Sequence, residues 1–330
     1  MLLRKVREGE SELFVPAVSM PEQGEVFYNP EQALSRDFSI LVYGSYGYEV
    51  LDSMCATGAR AVRLSAYRIP VVANDQSKRA VFLTELNRLH NRRDFRIENA
   101  RAEVLFHRER FDAVDVDPFG SPAPFLHCAL RSARKLVGVA ATDTAALSGT
   151  YPRVGWRRYG VRTEKVANHN EMGVRGLIGF AVREAAKLEM GAKPVFAHAY
   201  RHFYRVYLEI REGAGRADRS LEMLDNRGRW AGNLWDRNLL SRMKKVRLVP
   251  GHRKTEKHFE LILQEAPLGD RPYFELHSLC SELKISPANM GAVLEAVQGV
   301  KTHFSPTGFR TKLPREEVVE ALKSTDPQRS

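Results

Sequence analysis

The sequence contains few cysteines and no long apolar run. Its three cysteines, Cys55, Cys128 and Cys280, are far apart and odd in number, which argues against a disulfide framework and against a paired-cysteine zinc site. We therefore predict a reducing compartment and a cytoplasmic protein. The first residues, MLLRKVREGESELFVP, are charged too early for a secretory signal, and no apolar stretch approaches the length of a membrane span. We expect no membrane association.

The charge of the chain is unevenly distributed. Lys and Arg outnumber Asp and Glu by 51 to 40, a formal net charge of +11. Residues 201–260 hold 15 basic against 8 acidic residues, and residues 151–170 hold 5 against 1, so these two stretches account for the whole excess. Concentrated positive charge attracts polyanions, and a nucleic acid is the favoured partner. A basic surface that is merely solvated is the alternative.

Residues 48–142 alternate strand and helix patterns. Such alternation predicts parallel strands joined by crossover helices, that is, an α/β protein with a Rossmann-like doubly wound sheet. Strands are predicted at Tyr48–Ser53, at Val71–Ala73, at residues 113–116 and at residues 136–143.

Two helices have predicted caps. Ser77 is placed to accept a hydrogen bond in the first turn of the helix after the second strand. In that helix, apolar residues recur at Phe82, Leu86 and Leu89, the spacing of one helix face, which we expect to be buried. Near the end of the chain, Ser286 is the predicted cap of a short helix.

The second half of the chain contains a predicted domain boundary. A long amphipathic helix is expected at residues 172–190 and a strand at residues 202–210. The stretch 211–229 is rich in Gly, Arg and Asp, which is typical of a connection between domains. We therefore divide the chain into a larger domain, residues 1–212, and a smaller α+β C-terminal domain, residues 213–330.

Acidic residues stand at the predicted carboxyl ends of three strands: Asp52, Asp75 and Asp117. Ligands of open parallel sheets bind at these ends. Asp75 follows Asp52 by 23 positions, close to the spacing at which a second-strand acid accepts from both ribose hydroxyls of a nucleotide-like cofactor. Asp52 and Asp75 are therefore candidates for a cofactor site.

The loop after the first of these strands, DSMCATGAR, has a single glycine, Gly58. The G-x-G-x-x-G pattern that admits a pyrophosphate is absent, so a cofactor without phosphates is favoured, and S-adenosylmethionine fits. Arg36 and Arg60 are candidates to bind its carboxylate, and a solvated arginine pair is the alternative. We expect no metal, because the sulfonium already supplies the electrophile and the leaving group.

The motif DVDPFGSPAPF, residues 115–125, begins where a buried strand ends. An exocyclic base amine is a poor nucleophile until acceptors take its hydrogens. Asp117 is predicted to accept one hydrogen and the carbonyl of Pro118 the other. Phe119, together with Phe27 of the segment EVFYNP, offers faces on which a base stacks. The motif predicts methyl transfer to a base amine; a plain strand end followed by a helix is the alternative.

Further motifs occur in order along the chain: EVFYNP, SRDFS, CATGARAVR, VVAND, DVDPFGSPAPF, ATDTAALSGTYP, RRYG and THFSPTGFRTKLP. With them, the sequence resembles from end to end the archaeal and eukaryotic tRNA guanine-26 N2-dimethyltransferases. The resemblance implies a class I S-adenosylmethionine-dependent methyltransferase domain over residues 1–212 and a family-specific tRNA-binding domain over residues 213–330. It also implies that one or two methyl groups are added to the N2 amine of guanine 26.

The resemblance assigns roles to single residues. Arg36 and Arg60 would contact the methionine end of the donor, and Asp75 would contact its ribose. Asp117 would contact the guanine amine, in a pocket formed by the two phenylalanines named above.

The chain departs from the family pattern at two places. Where relatives carry an acid in a D-A-x-x-L motif, this chain has Arg101 before Ala102. Either Glu103 replaces the acid, or the backbone near Ala102 recognises the adenine alone. The zinc-type cysteine pairs of some relatives are absent before GRWAGNLW, so Trp230 and Trp235 are expected to hold the C-terminal domain by packing.

The expected partner is tRNA, and no obligate protein partner is evident. Phosphate contacts are expected from the basic stretch Arg201–Lys257 and from Arg153, Arg157 and Arg158. Two alternatives remain open. One is methylation of another exocyclic base amine in RNA, and the other is a catalytically silent RNA-binding protein, which Arg101 favours.

Overall fold

The structure is a computed structural model that describes residues 2–17, 26–249 and 252–325. The chain begins with an antiparallel hairpin of β1 (Leu3–Glu8) and β2 (Ser11–Pro16). Seven strands form the central sheet: β3 (Val50–Asp52), β4 (Val71–Asn74), β5 (Arg96–Glu98), β6 (Phe111–Val116), β7 (Ala133–Ala141), β8 (Met190–Tyr200) and β9 (Phe203–Glu212). A small sheet follows, with β10 (Phe274–Glu275), β11 (Val300–Lys301) and β12 (Gly308–Arg310).

Helices connect and cover these strands. In chain order they are α1 (Ala33–Tyr46), α2 (Ala59–Ala66), α3 (Lys78–His90), α4 (Ala102–Arg108), α5 (Ala123–Ser132), α6 (Thr144–Leu147), α7 (Pro152–Tyr159), α8 (His169–Ala186), α9 (Ala214–Glu222), α10 (Arg237–Met243), α11 (Arg253–Glu265), α12 (Leu276–Leu283), α13 (Met290–Ala296) and α14 (Arg315–Ser324). Short 3-10 turns occur at Pro30–Gln32 and Ala266–Leu268.

The central sheet has the strand order β5-β4-β3-β6-β7-β9-β8. Strands β3 to β7 are parallel, and β9 runs antiparallel to both of its neighbours. The order reverses between β3 and β6, so their carboxyl ends form the crevice in which open α/β sheets bind ligands. Helices α4, α5, α8 and α9 pack in series as one layer, and α3, α2, α1 and α10 as another. The predicted doubly wound α/β sheet is confirmed.

The predicted strands form because their side chains are apolar on both faces of the sheet. Val50, Leu51, Val114 and Val116 have no exposed surface, as expected for parallel strands that helices cover on both sides. The predicted helix at 172–190 is α8, which ends earlier, at Ala186, and β8 then begins at Met190 without having been predicted.

Helix α3 buries a different face from the predicted one. Ser77 caps it as predicted, accepting from the Ala80 amide at 3.4 Å. Phe82 and Leu89, however, are 65% and 59% exposed. The buried face includes Asn87, whose side chain exchanges hydrogen bonds with the backbone of Phe14 on β2 at 2.7 and 2.9 Å. Because these polar contacts hold the hairpin, α3 buries the face that carries Asn87 and leaves Phe82 and Leu89 of the predicted stripe exposed.

The second predicted cap, unlike the cap at Ser77, is wrong. Helix α13 begins after Asn289, whose side chain accepts from the Ala292 amide at 3.0 Å. Ser286 lies before the helix, in the loop that follows α12. Both Asn and Ser are good caps, and here the backbone turns into the helix only after the asparagine.

Side chains on both sides of residue 212 share one hydrophobic core. Trp230, Trp235 and Leu239 pack in the same cluster as the central sheet, and the two tryptophans are buried as expected. A second, separate cluster is built from α12, α13, α14 and β12; its buried members are Leu276, Leu279, Cys280, Val293, Val297, Phe309, Val318 and Leu322. The division at 212/213 stays a prediction.

Candidate active site

Five charged side chains meet at the carboxyl ends of β3 and β6. This rim cluster consists of Asp52, Arg60, Asp115, Asp117 and Arg205. Asp115 and Asp117 stand two positions apart and therefore point to the same face of the sheet. Arg60, in the first turn of α2, donates to Asp115 Oδ1 at 2.6 Å and also to Asp117. Its Nη1 lies 3.6 Å from Asp52 Oδ1.

Sequence reasoning missed Asp115 as a site residue, together with two of the residues that bind it. Arg205 on β9 donates to Asp115, and the hydroxyl of Tyr43 on α1 donates to the same carboxylate at 2.6 Å. Asp115 is thus bound from three separate elements, which fixes the end of β6. The signal was present in the sequence: Arg205 is a charged residue inside a strand whose other residues are mostly apolar, and a buried charge needs a partner.

The rim cluster shifts the pKa values of two of its acids in opposite directions. Burial alone would raise the pKa of Asp117, but the positive charges of Arg60 and Arg205 outweigh it and hold that pKa below its usual value. Burial, opposed by Arg60 and supported by Asp115 and Asp117, raises the pKa of Asp52 to about 7. Asp117 is therefore an ionised acceptor at neutral pH. Its side chain retains 16% exposure, whereas Asp115 has none.

The residues after Asp117 form an exposed aromatic site. Pro118 is buried, and Phe119 is 87% exposed. The Phe119 ring lies edge-on to that of Phe27, with centroids 5.6 Å apart at an angle of 82°. Within the described ranges, no donor reaches the Pro118 carbonyl. The structure thus brings Asp117, Pro118, Phe119 and Phe27 together, as the sequence predicted.

A second set of hydrogen bonds holds the DPFGSP loop in place. The Gly120 amide donates to the Thr142 hydroxyl at 2.8 Å, and the Thr142 amide donates to the Gly120 carbonyl at 2.9 Å. The Tyr159 hydroxyl lies 2.7 Å from the Ser121 hydroxyl and donates to Asp143 at 2.5 Å. The motif ATDTAALSG therefore anchors the loop on which Phe119 stands.

The cofactor candidates lie on the other side of the crevice. Asp75 follows β4 and accepts from the Ala56 amide at 3.0 Å and from the Ser77 amide at 2.9 Å. A Cβ on Gly58 would lie 2.7 Å from the side chain of Thr84, so only glycine lets the loop pack this closely on α3. Asp52 Oδ2 is buried, and no residue that the structure describes donates to it. Two carboxylates with spare acceptor capacity at adjacent strand ends fit a ligand rich in hydroxyl and ammonium donors.

Ala102 and its neighbours lie at the start of α4. Ala102 is buried, whereas the side chain of Arg101 is 70% exposed and lies 3.3 Å from a Glu103 oxygen. The loop before α4 is tied to the cofactor side, because the Asn99 amide group donates to the Asp75 carbonyl at 2.9 Å. The roles of Ala102 and Glu103 stay predictions.

Arg36 joins the N-terminal hairpin to the site. It donates to both carboxylate oxygens of Glu8 at 2.6 and 2.7 Å and to the Asn29 carbonyl at 3.0 Å. Burial raises the pKa of Glu8, but Arg36 and Arg63 outweigh this and lower it to about 2. The positive charge of Arg36 also contributes to the lowered pKa of Asp117. Arg36 is therefore close enough to act electrostatically on the site, while its donors are engaged by Glu8.

A cavity of about 780 Å³ lies elsewhere, at the amino end of β8, lined by Lys193, Arg211, Arg216, Arg219 and Arg237 among others. None of the predicted site residues lines it. The residues that the structure describes include no group of three or more His, Cys, Asp or Glu side chains arranged to hold a metal ion. In the same residues, no helix is long and apolar enough to span a membrane.

The strand order and the acids at the ends of β3, β4 and β6 define a class I methyltransferase fold. The chain aligns over 97% of its length with Trm1 from Pyrococcus horikoshii in its complex with S-adenosyl-L-methionine, with a TM-score of 0.89, 30% identity and 100% coverage of that chain. A family model described as N2,N2-dimethylguanosine tRNA methyltransferase matches residues 6–226 and 228–323. The chain belongs to this family.

Curated relatives agree with this assignment. The chain is 32% identical over 371 aligned residues to tRNA (guanine(26)-N(2))-dimethyltransferase of Methanosphaerula palustris, covering 98% of this chain and 100% of the relative. It is 31% identical to the enzyme of the same description from Thermococcus kodakarensis, covering 98% and 100%.

Proposed function

We propose that this protein uses S-adenosylmethionine to add one or two methyl groups to the N2 amine of guanine 26 in tRNA. The observation that carries the proposal is the geometry at the end of β6. An ionised carboxylate, Asp117, stands beside a proline carbonyl to which no described residue donates, and beside the exposed ring of Phe119 and the partly buried ring of Phe27.

Asp117 has the properties that an acceptor for the amine needs. The N2 lone pair of guanine is delocalised into the ring, and it becomes nucleophilic when acceptors take the amine hydrogens. Asp117 accepts a hydrogen bond from one N–H and would take its proton as the N–C bond forms and the donor's S–C bond breaks. The Pro118 carbonyl accepts a hydrogen bond from the other N–H. Arg60 holds Asp117 in its ionised form and fixes its direction, since it is itself fixed by Asp115. General base catalysis of this kind contributes about 10²- to 10⁴-fold to a rate.

The donor site lies at the ends of β3 and β4. Asp75 binds the ribose hydroxyls of the donor, and Asp52, to whose Oδ2 no described residue donates, is available to its ammonium group. When bound, the donor supplies the methyl group on a sulfonium that is already an electrophile with its leaving group. Arg36 and Arg60 contribute positive charge near its carboxylate.

The base must leave the RNA stack to reach Asp117, at a cost of a few kcal/mol. Phe119 and Phe27 offset part of this cost by stacking, which contributes about 1–3 kcal/mol per base. Phosphate contacts supply more. The exposed basic residues of the stretch Arg201–Lys257, which exclude the buried Arg205, and those of α7 are the source of these contacts, so binding weakens steeply with salt.

Mass spectrometry of an unmodified tRNA transcript, incubated with protein and donor, tests the proposal. We expect N2-methylguanosine or N2,N2-dimethylguanosine, and no product with a transcript that carries adenosine at position 26. Methyl transfer to the adenosine transcript would instead favour an enzyme for another base amine. Donor binding by calorimetry without any transfer to either transcript would contradict the proposed reaction.

A further inference from the structure

Helix α7 presents aromatic and basic side chains to solvent. Trp156 is 57% exposed, and Tyr151, directly before the helix, is 59% exposed. Arg153, Trp156 and Arg157 share one helix face through their i, i+3, i+4 spacing. Among the residues for which the structure gives positions, no acceptor pairs with Arg153 or Arg157. The Arg162 guanidinium lies over the Trp156 ring, 5.5 Å from its centroid, and still leaves the side chain 57% exposed. The face thus combines an accessible aromatic ring with positive charge.

The opposite face of α7 is fixed to the protein. A Cβ on Gly155 would lie 2.7 Å from the Ala146 carbonyl oxygen. The Tyr159 ring packs edge-on to Phe180, with centroids 5.3 Å apart. The exposed face is therefore held in one orientation, which lowers the entropic cost of binding a ligand there.

This surface lies close to the proposed base pocket. Tyr159, the last residue of α7, is 2.7 Å from Ser121, two positions after Phe119. The helix has eight residues, so its whole length is about 12 Å. Trp156 lies one turn before Tyr159, within reach of the nucleotides next to a base that enters the pocket.

We propose that the outer face of α7 binds the RNA segment next to the extruded guanine, with a base stacked on Trp156 and phosphates on Arg153 and Arg157. Aromatic platforms combined with positive charge are typical of proteins that bind unpaired nucleic acid. The local charge agrees, with 5 basic against 1 acidic residue in 151–170. This inference rests on the proposed function and assigns part of its specificity to a surface outside the base pocket.

Substitution of the tryptophan tests the stacking contact. We expect Trp156→Ala to weaken tRNA binding at least about fivefold, the lower limit for loss of one stacked base, and Trp156→Phe to keep most of the affinity. Phe82→Ala, which removes an equally exposed aromatic ring from α3, is the matched control and should bind as the wild type does. Fluorescence anisotropy with a labelled transcript gives the affinities, and calorimetry shows whether donor binding is unchanged. Equal tRNA affinity for Trp156→Ala and Phe82→Ala would overturn the proposal.

Substitution of the arginines tests the phosphate contacts. Loss of two contacts should lower the slope of log K against log salt by about 1.5 in Arg153→Ala/Arg157→Ala. Arg131→Ala/Arg134→Ala removes the same charge from exposed side chains at the amino end of β7, the opposite end of the sheet, and should leave the slope unchanged.

Equal slopes for the two double variants would mean that α7 attracts RNA only through net charge, which contradicts the proposal. Wild-type protein that methylates tRNA while the α7 variants match their controls would refute this inference alone. Wild-type protein that fails to methylate tRNA would refute the proposed function.

Discussion

Two of the buried charge networks of the molecule differ in what they support. The rim cluster gathers Arg60 and Arg205 against Asp52, Asp115 and Asp117. The second, the junction cluster, joins α8 to the hydrophobic cluster of α12, α13, α14 and β12. It consists of Glu171, Arg175, Glu265, His303 and Arg310.

The two networks differ in whether their side chains are shielded from solvent. In the junction cluster, Glu171, Glu265, His303 and Arg310 have no exposed side-chain surface, and both carboxylates accept from Arg310 at 2.6 to 3.1 Å. In the rim cluster, Asp117 remains partly exposed beside Phe119. Similar pairs of charges therefore connect packed elements in the junction cluster and orient an accessible carboxylate in the rim cluster.

The pKa values of one acid in each cluster, Glu265 and Asp52, are shifted in opposite directions. Burial raises the pKa of Glu265, but His303 and Arg310 outweigh it and lower that pKa to about 2. In the rim cluster, burial dominates at Asp52 and raises its pKa to about 7. In the junction cluster, positive partners offset the cost of burying the ionised Glu265. In the rim cluster, they do not offset this cost for Asp52, and such perturbed acids are common at functional sites.

The largest expected effect on stability comes from opening the junction cluster. Arg310→Ala leaves Glu171 and Glu265 buried with fewer partners, which should cost about 3–5 kcal/mol in free energy of unfolding. Urea unfolding followed by circular dichroism measures it. Arg315→Ala, which breaks an exposed pair with Glu282 at 2.7 Å, is the control and should cost less than about 1 kcal/mol. Similar losses for the two variants would contradict the contrast between the buried and exposed pairs.

The next effect is the response to acid. The pKa values of Glu8 and Glu265 lie near 2 in the folded protein against 4.5 as ordinary carboxyls. Each therefore contributes stability that is present above about pH 4.5 and is lost as the pH falls toward 2, about 3 kcal/mol per group. Glu265→Gln should flatten the plot of unfolding free energy against pH in this window only. An unchanged slope would show that Glu265 is not held ionised by its partners.

A smaller effect is expected from the rim cluster. Tyr43→Phe removes one donor to Asp115 but leaves Arg60 and Arg205 in place, so the cost should be about 2 kcal/mol in unfolding free energy. The measurement is urea unfolding at pH 7, with donor affinity by calorimetry as a second readout. A loss as large as that of Arg310→Ala would mean that the rim cluster depends on each donor as strictly as the junction cluster does.

Local patterns predicted the parts of the fold that local chemistry decides. The buried strands around Val50 and Val114 and the cap at Ser77 follow from apolar runs and from a hydroxyl before a helix. The acid, proline and aromatic residues after β6 were predicted to lie together for the same reason, since consecutive residues at a strand end share one place in the fold, and the structure confirms this proximity.

Contacts between distant segments were beyond the reach of such patterns. The buried face of α3 is set by Asn87 and its bonds to β2, so the apolar stripe at Phe82 gave the wrong face. The partners of Asp115 come from α1, α2 and β9, 72, 55 and 90 positions away in the chain. In the sequence, the one sign of these partners was the position of Arg205, a charged residue inside a largely apolar strand.

The most direct test of the account is methyl transfer by Asp117→Asn in a single turnover, with enzyme and donor both saturating. The substitution keeps the shape of the side chain and removes the negative charge that accepts the amine hydrogen. We predict a rate on a tRNA transcript at least about 100-fold below wild type, with donor affinity by calorimetry changed no more than a few-fold. A rate close to that of wild type, with donor bound equally well, would contradict the role of Asp117 at the end of β6.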